Sequence, residues 1–430
     1  MIGMISGSIF FTVCIGSVFT LFLLKLGARE KLIGFLSILP SIVGIFSLWI
    51  TKYISRNPVK SLILAAWSLF IIEICFLPVF FLAGYLSPST TIGIFCALLF
   101  LFYFPWQSYV YAWFPVIESV IPYDERGSFL GILRISLTLV GYAFLQISSR
   151  IFGPEPEYIK FFCVLLIIVV FSFFFPYFLS RARIPETRKQ TTEKIGLFEV
   201  FRTILHNTDH NIYFKFVFMM TFITGISSPF LIPFYRTELG MSSSFCVTLV
   251  SAGTLGYGFS VFGWGKLVDR HGSRYVLFVS CALAVLHMFF LAHLHLFSYQ
   301  WIKNLLILAS FLGGVVLAGQ LMGDTTRRMA LAPEQNKLSY FSCILVFGAQ
   351  LPAIIASPLA GFLIQRNREF HSGIYGIYQI VMLIAGFLYL ALLYTIIRMR
   401  PLKEKPVMEL LRNSVTKSLM KIRDVIASPP

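Results

Sequence analysis

Twelve apolar runs, most of them over twenty residues long, dominate this chain: 5–26, 33–54, 61–85, 92–118, 129–149, 159–179, 212–235, 245–267, 275–297, 302–324, 339–364 and 374–398. About 20 apolar residues are what an α-helix needs to cross the hydrocarbon core of a bilayer. The runs are continuous and do not alternate as barrel strands would, so helices are the spanning form that satisfies the backbone. Composition agrees. Charged residues make up 13% of the chain, against about 25% in a soluble domain. A soluble core cannot hide this much apolar surface. The sequence therefore predicts an all-α polytopic membrane protein with twelve transmembrane helices.

The charges that remain are placed unevenly. Twenty-three Lys and Arg residues fall in the loops after the even-numbered spans and in the tail, and 7 fall in the opposite loops. Basic loops stay on the cytoplasmic side, so both termini are expected in the cytoplasm, in the inner membrane if the source is bacterial. The residues before the first span carry no Lys or Arg and add nothing to this orientation. The net charge of +16 thus reads as loops facing anionic lipid rather than a nucleic-acid surface. The seven cysteines lie in seven different runs, with no CxxC pair and no Cys/His cluster, which gives neither a metal site nor a disulfide support. No P-loop is present, and no cofactor is expected. The first run is too long for the core of a signal peptide.

The two halves repeat. WITKYISRNPVK (49–60) aligns with WGKLVDRHGSR (264–274) at an offset of 214, PYDERGSF with PEQNKLSYF at 211, and Leu26-Gly27 with Leu239-Gly240 at 213. Between them lies the only long hydrophilic interior segment. The expected organisation is a six-helix bundle over 1–179, a cytoplasmic linker over 180–211, a second six-helix bundle over 212–398 and a basic tail over 399–430. Within the tail, apolar residues from Val407 to Ile426 fall on one helical face, as in an interfacial helix.

Two parallel six-helix halves form one known transporter plan. In the second half, Gly265, Leu267, Asp269, Arg270, Gly272 and Arg274 fit the G-x-L-x-D-R-x-G-[RK]-[RK] loop of the major facilitator superfamily, except that Ser273 replaces one basic residue. The chain resembles that superfamily over roughly 1–398. The resemblance implies two pseudo-symmetric bundles that transport by alternating access, most simply as a monomer. It also implies that Asp269 pairs with a basic residue near the end of helix ten, Arg327 or Arg328, to latch the cytoplasmic side. Gly265 would allow a close helix crossing, and Gly272 a turn with positive φ. In the first-half copy Thr51 and Ser55 replace the glycine and the aspartate, so a charge cluster of Glu118, Glu125, Arg126 and Arg134 is the alternative gate there. Arg134 lies about one turn inside its span, where a charge is costly unless paired or wetted. A pair with Glu118, a substrate-anion site and snorkelling are the three readings.

By the same resemblance, helices 1, 4, 7 and 10 line a central cavity. Each carries a polar or small stripe at helical spacing. The candidates for contact with a small solute are Gln107, Tyr111, Gln320, Asp324 and Thr221. Glu73 and His287, near mid-depth of helices 3 and 9, are candidates for proton coupling, since ionisable groups inside a membrane are functional by default. Helix 5 lacks the Gly-Pro pair of drug antiporters, which weakens the exporter reading. A non-transporting sensor or assembly partner on the same scaffold is the other alternative. No His/Asp/Glu or Ser/Lys set at helical spacing suggests an enzyme.

Overall fold

The computed structural model describes residues 7, 9–54, 57–120, 126–181, 197–333, 337–367, 371–372 and 375–401. The predicted tail helix, Glu125 and residues 182–196 of the linker lie outside the described residues, as do the side chains of Glu118 and Arg126. Each of the twelve runs becomes a helix. They are α1 (Phe11–Lys25), α2 in two pieces (Glu30–Leu36 and Leu39–Ile54), α3 (Pro58–Leu82), α4 (Pro88–Val120), α5 (Arg126–Phe152) and α6 (Tyr158–Arg181). In the second half they are α7 (Thr208–Glu238), α8 (Ser243–His271), α9 (Ser273–Ala292), α10 (Tyr299–Leu331), α11 (Ser339–Arg366) and α12 (Ile377–Arg398). Among the described residues, 10 helices are long and apolar enough to cross a membrane. The other two spans are the short α1 and the broken α2. A two-residue-per-strand hairpin, β1 (His371–Ser372) with β2 (Tyr375–Gly376), joins α11 to α12.

Local chemistry sets the helix ends. Asn207 opens α7 by accepting from the backbone N–H groups of Asp209 and His210, and Ser242 opens α8 by accepting from Phe245. Both are N-cap bonds that satisfy otherwise orphaned donors. Pro58 begins α3, where its missing N–H costs nothing. Within α7, Ser228–Phe230 tightens into a 3-10 turn around Pro229. The repeat also appears in the backbone. Gly27 and Gly240, matched in the sequence, both take positive φ (82° and 62°) just after α1 and α7.

One buried apolar core runs through both halves. In the first, Phe10, Phe19, Phe22, Phe76, Phe80, Phe95 and Phe161 form a connected aromatic cluster joining α1, α3, α4 and α6. In the second, α8 and α10 cross tightly, and α9 packs on α10 and α12. The halves meet where α2 packs on α11 and α5 packs on α8, with α1 against α5 and α8. The outer surface stays apolar: Leu64, Phe259, Leu286 and Phe387 are each more than half exposed, as side chains facing lipid should be. A helix over Leu197–His206 lies beside the second half, its Phe201 stacked on Phe347 of α11 at 4.4 Å.

Candidate functional site

The five cavity candidates do not converge. Gln107 on α4 is buried and donates through Nε2 to the Pro40 carbonyl of α2 at 3.0 Å. Tyr111 packs against the Leu62, Ala112 and Val116 cluster between α3 and α4. Gln320 turns into the second half, its Nε2 3.9 Å from Cys281 Sγ of α9. Thr221 is half-buried on α7, where its carbonyl accepts from the Thr224 hydroxyl at 3.1 Å. Asp324 is 4% exposed, accepting from Tyr213 Oη at 2.6 Å and from Arg328 Nη2 at 2.5 Å. Gln107, Gln320 and Asp324 thus differ from the expectation: each is held by a partner within its own half. On α1, by contrast, no neighbour lies within 4 Å of where a Gly16 side chain would start.

The polar loop between α8 and α9 also differs in part. Gly272 has φ 82° and makes the expected tight turn. Gly265 does not make a close crossing, since a Cβ there would sit 3.8 Å from the Met322 methyl, an ordinary contact. The close approach of α8 to α10 is at Gly253, Gly256 and Gly314, where a Cβ would meet the partner backbone. Asp269 and Arg270 are exposed, and Asp269 makes no hydrogen bond or ion pair among the described residues. The anticipated partners are engaged elsewhere. Arg328 has Asp324 four residues back on its own helix and Tyr213 beside it, two acceptors in a dry site. Arg327, 1% exposed, donates to the Arg400 carbonyl at 2.7 Å. Arg274 donates to the carbonyls of Ile396 and Ile397. Arg134 reaches across the halves, its Nη1 2.8 Å from Met322 Sδ on α10.

The two coupling candidates each lie within one half, Glu73 buried and His287 partly buried. Glu73 is 3% exposed, with Ser172 of α6 and Cys14 of α1 around it, and its Oε2 has no hydrogen-bond partner. The His287 ring fills the space left by Gly313 of α10, 3.0 Å from where a Cβ would stand.

What the sequence reading missed is the seam between the halves on the face that carries the loops after odd-numbered spans. Ser243 and Ser244 donate their backbone N–H groups to Pro154 and Gly153, each at 3.1 Å. Ser149 Oγ donates to the Ser244 carbonyl at 2.8 Å, and Gln146 Nε2 to Ser251 Oγ at 2.7 Å. Arg236 Nη2 pairs with Glu155 Oε1 at 2.8 Å, and Tyr378 Oη donates to Glu30 Oε1 at 2.8 Å. Lys31 N donates to Gln365 Oε1 at 3.3 Å. Every one of these bonds joins one half to the other. Arg236 holds the Glu155 carboxyl below its ordinary range, first through the hydrogen bond and then through its charge. Beside this seam lies a cavity of about 640 Å³ lined by Lys25, Arg29, Glu30, Glu155 and Arg236. These residues look like loop charges in the sequence, with no spacing that would single them out.

The sequence profile of the Major Facilitator Superfamily matches residues 214–429, half of the chain. No curated protein matches this sequence. Among solved structures, a variant of the nucleoside transporter NupG is similar with a TM-score of 0.68 at 13% identity, covering 93% of this chain and 98% of that one. The Escherichia coli fucose:proton symporter FucP gives 0.59 at 13%, covering 93% and 96%. A bacterial homologue of the human lysosomal transporter Spinster, in an inward-facing and occupied conformation, gives 0.62 at 12%, covering 92% and 93%. At these identities the likenesses establish the fold.

Proposed function

Because this chain belongs to the major facilitator superfamily, we propose that it is a secondary transporter moving a small polar solute by alternating access. It is an integral, multi-pass membrane protein of a transporter family and not an enzyme. In our reading, residues 1–179 rock against 212–398, with 180–211 as the cytoplasmic connection and 399–430 as a cytoplasmic tail. The basic loops orient the chain with both termini inside. The odd-loop face is then external, and the membrane is the inner one if the source is bacterial.

The observation that carries this proposal is the hydrogen-bonded seam at the odd-loop face. The hydrogen bonds and the ion pair between the halves there lie few residues deep, which is a closure that can be undone as a unit. With that face external, the structure is closed outward. The cytoplasmic latch through Asp269 belongs to the opposite state, when the loops around it come together. Thr221 and Tyr111, with the open space at Gly16, are the first places to seek solute contacts. NupG and FucP are named for a nucleoside and for fucose. That makes uncharged polar metabolites the first panel to test. Glu73 and His287 stay proposed proton sites.

Flux of a radiolabelled metabolite panel into proteoliposomes tests the proposal. Saturable exchange of at least one solute is expected. A folded protein that exchanges none across the panel overturns it. Glu73→Gln is expected to abolish pH-driven accumulation, and an unchanged gradient effect removes Glu73.

A further inference from the structure

Glu30 is the one carboxyl group, among the described residues, buried in the seam between the halves. It sits at the start of α2, 2% exposed. Its Oε1 accepts from Tyr378 Oη of α12 at 2.8 Å, and Thr237 Oγ1 of α7 lies 3.5 Å from that same Tyr378 oxygen. Its Oε2 is buried with no hydrogen-bond partner. Behind it, α11 comes so close that a Cβ on Gly361 would be 2.6 Å from the Glu30 carbonyl oxygen. The acid belongs to the first half, and Tyr378, Thr237 and Gly361 belong to the second.

The cations nearby do not neutralise it. Lys25 of α1 places its Nζ over the Tyr158 ring at 5.1 Å. Arg236 of α7 is used by Glu155 and by the Met241 carbonyl. On its own helix, Arg29 and Lys31 are exposed, as is Arg366 at the end of α11. The remaining acids, Glu155 and Glu238, add only negative charge. The helix N-terminus contributes a partial positive charge. That still leaves one oxygen of a buried carboxylate unsatisfied, a costly arrangement. When the halves separate, the same oxygen meets water through the adjoining cavity. A group wetted in one state and dry in the other ties the equilibrium between states to whatever neutralises it.

We propose that Glu30 is a coupling-cation site: the outer gate closes over it when it has taken up one monovalent cation, a proton or a sodium ion, and releases that cation on opening. The proposal rests on the alternating-access reading but needs no solute. It adds a coupling group on the seam, where both sides of the cycle can reach it, beside the proton sites proposed at Glu73 and His287.

The test follows the gate directly. Spin labels at Tyr85→Cys and Leu296→Cys, exposed positions on the odd-loop face of the two halves, report its opening by pulsed electron resonance in nanodiscs, with Cys75 and Cys163 replaced by serine. The short-distance population is expected to rise as pH falls without sodium, or with sodium at fixed pH. The arm that responds identifies the cation. One proton taken up corresponds to about a tenfold change in the closed-to-open ratio per pH unit. Glu30→Gln should hold the gate closed in all conditions. Should Glu30→Gln not fold, Tyr378→Phe keeps the carboxylate and should lower the closed fraction while preserving the response. A native protein indifferent to both ions, or a Glu30→Gln variant that responds as the native does, overturns the proposal. Lack of flux for every solute, with the gate still cation-dependent, would defeat the transport reading and leave this one standing.

Discussion

Arg274 Nε donates to the carbonyl oxygen of Ile396 at 3.1 Å, joining the first turn of α9 to the C-terminal end of α12. The last carbonyls of a helix have no partners of their own, and a cation there also meets the negative end of the helix dipole. Arg327 donates to the Arg400 carbonyl, in the chain just past α12. Arg274 therefore caps α12, and it is a packing and capping residue beside the exposed charges at the end of α8. Arg274→Ala is expected to cost about 1.5–3 kcal/mol, the range for a hydrogen bond to a charged group. Arg274→Lys should recover part of it, because one ammonium cannot span two carbonyls in the same plane. Denaturation midpoints in a fixed detergent check this; equal midpoints for Arg274→Ala and native protein would refute it.

The Asp324, Arg328 and Tyr213 triad makes a sharper case. Removing one member of a buried charge pair leaves the other uncompensated, at a cost of about 3–5 kcal/mol. Arg328 is partly exposed, with 25% of its side-chain surface open, so the lower part of that range applies to Asp324→Asn. Tyr213→Phe should cost about 1 kcal/mol, since it removes a single hydroxyl donor. Both are read as shifts in thermal unfolding, and the order of the two effects is the prediction: a larger loss from Tyr213→Phe would contradict the triad.

Asp269 separates stability from transport. It is exposed and unpaired among the described residues. Asp269→Asn should therefore leave the unfolding midpoint within about 0.5 kcal/mol of native, as for other surface changes. If the latch forms when the cytoplasmic loops close, the same variant should slow flux. Unchanged flux removes the latch, and a large stability loss would mean that Asp269 is already engaged in this state.

Much of the fold was legible because spanning a bilayer leaves few options. Run length set the helices, the pairing of Leu26-Gly27 with Leu239-Gly240 exposed the two-fold plan, and Gly272 marked its turn. The side-chain directions were not legible. In helices apolar on every face, spacing tells which residues share a stripe but not whether that stripe meets a cavity or a neighbouring helix. Gln320 shares a face with Asp324, yet one meets Cys281 of α9 and the other Tyr213 of α7. Glu30 escaped notice for the opposite reason. Between Arg29 and Lys31 it reads as one more loop charge, and only the fold brings Tyr378, 348 residues away, onto it.

The Arg236–Glu155 pair gives a pH prediction with a definite sign. In the proposed cycle the pair belongs to the closed gate and breaks as the gate opens, and Arg236 lowers the Glu155 carboxyl from its ordinary value of 4.5. A depressed carboxyl adds to the closed state above its ordinary value, and that contribution is lost as pH falls through the lowered value. The pair should therefore be constant between neutral pH and about 5. Glu155→Gln should reduce the closed fraction equally across that range, and high salt should mimic it because the pair is exposed. A closed fraction that keeps its pH response near neutrality in Glu155→Gln places that response elsewhere in the seam.

Gly361 offers the most direct mechanical test of the gate. A Cβ at this position would stand 2.6 Å from the Glu30 carbonyl oxygen and 3.3 Å from Lys31 Cα, both backbone atoms that cannot turn aside. Gly361→Ala forces α2 and α11 apart at the odd-loop face, and Gly361→Val forces them further. Neither substitution touches the packing within a half, because Gly361 faces across the seam. The expected result is a graded shift toward the outward-open state, Val beyond Ala, with the unfolding midpoint of each variant changing less than the gate distance does. Spin labels at Tyr85→Cys and Leu296→Cys read the shift. A closed fraction equal to native in both variants would mean that the seam does not close through this contact.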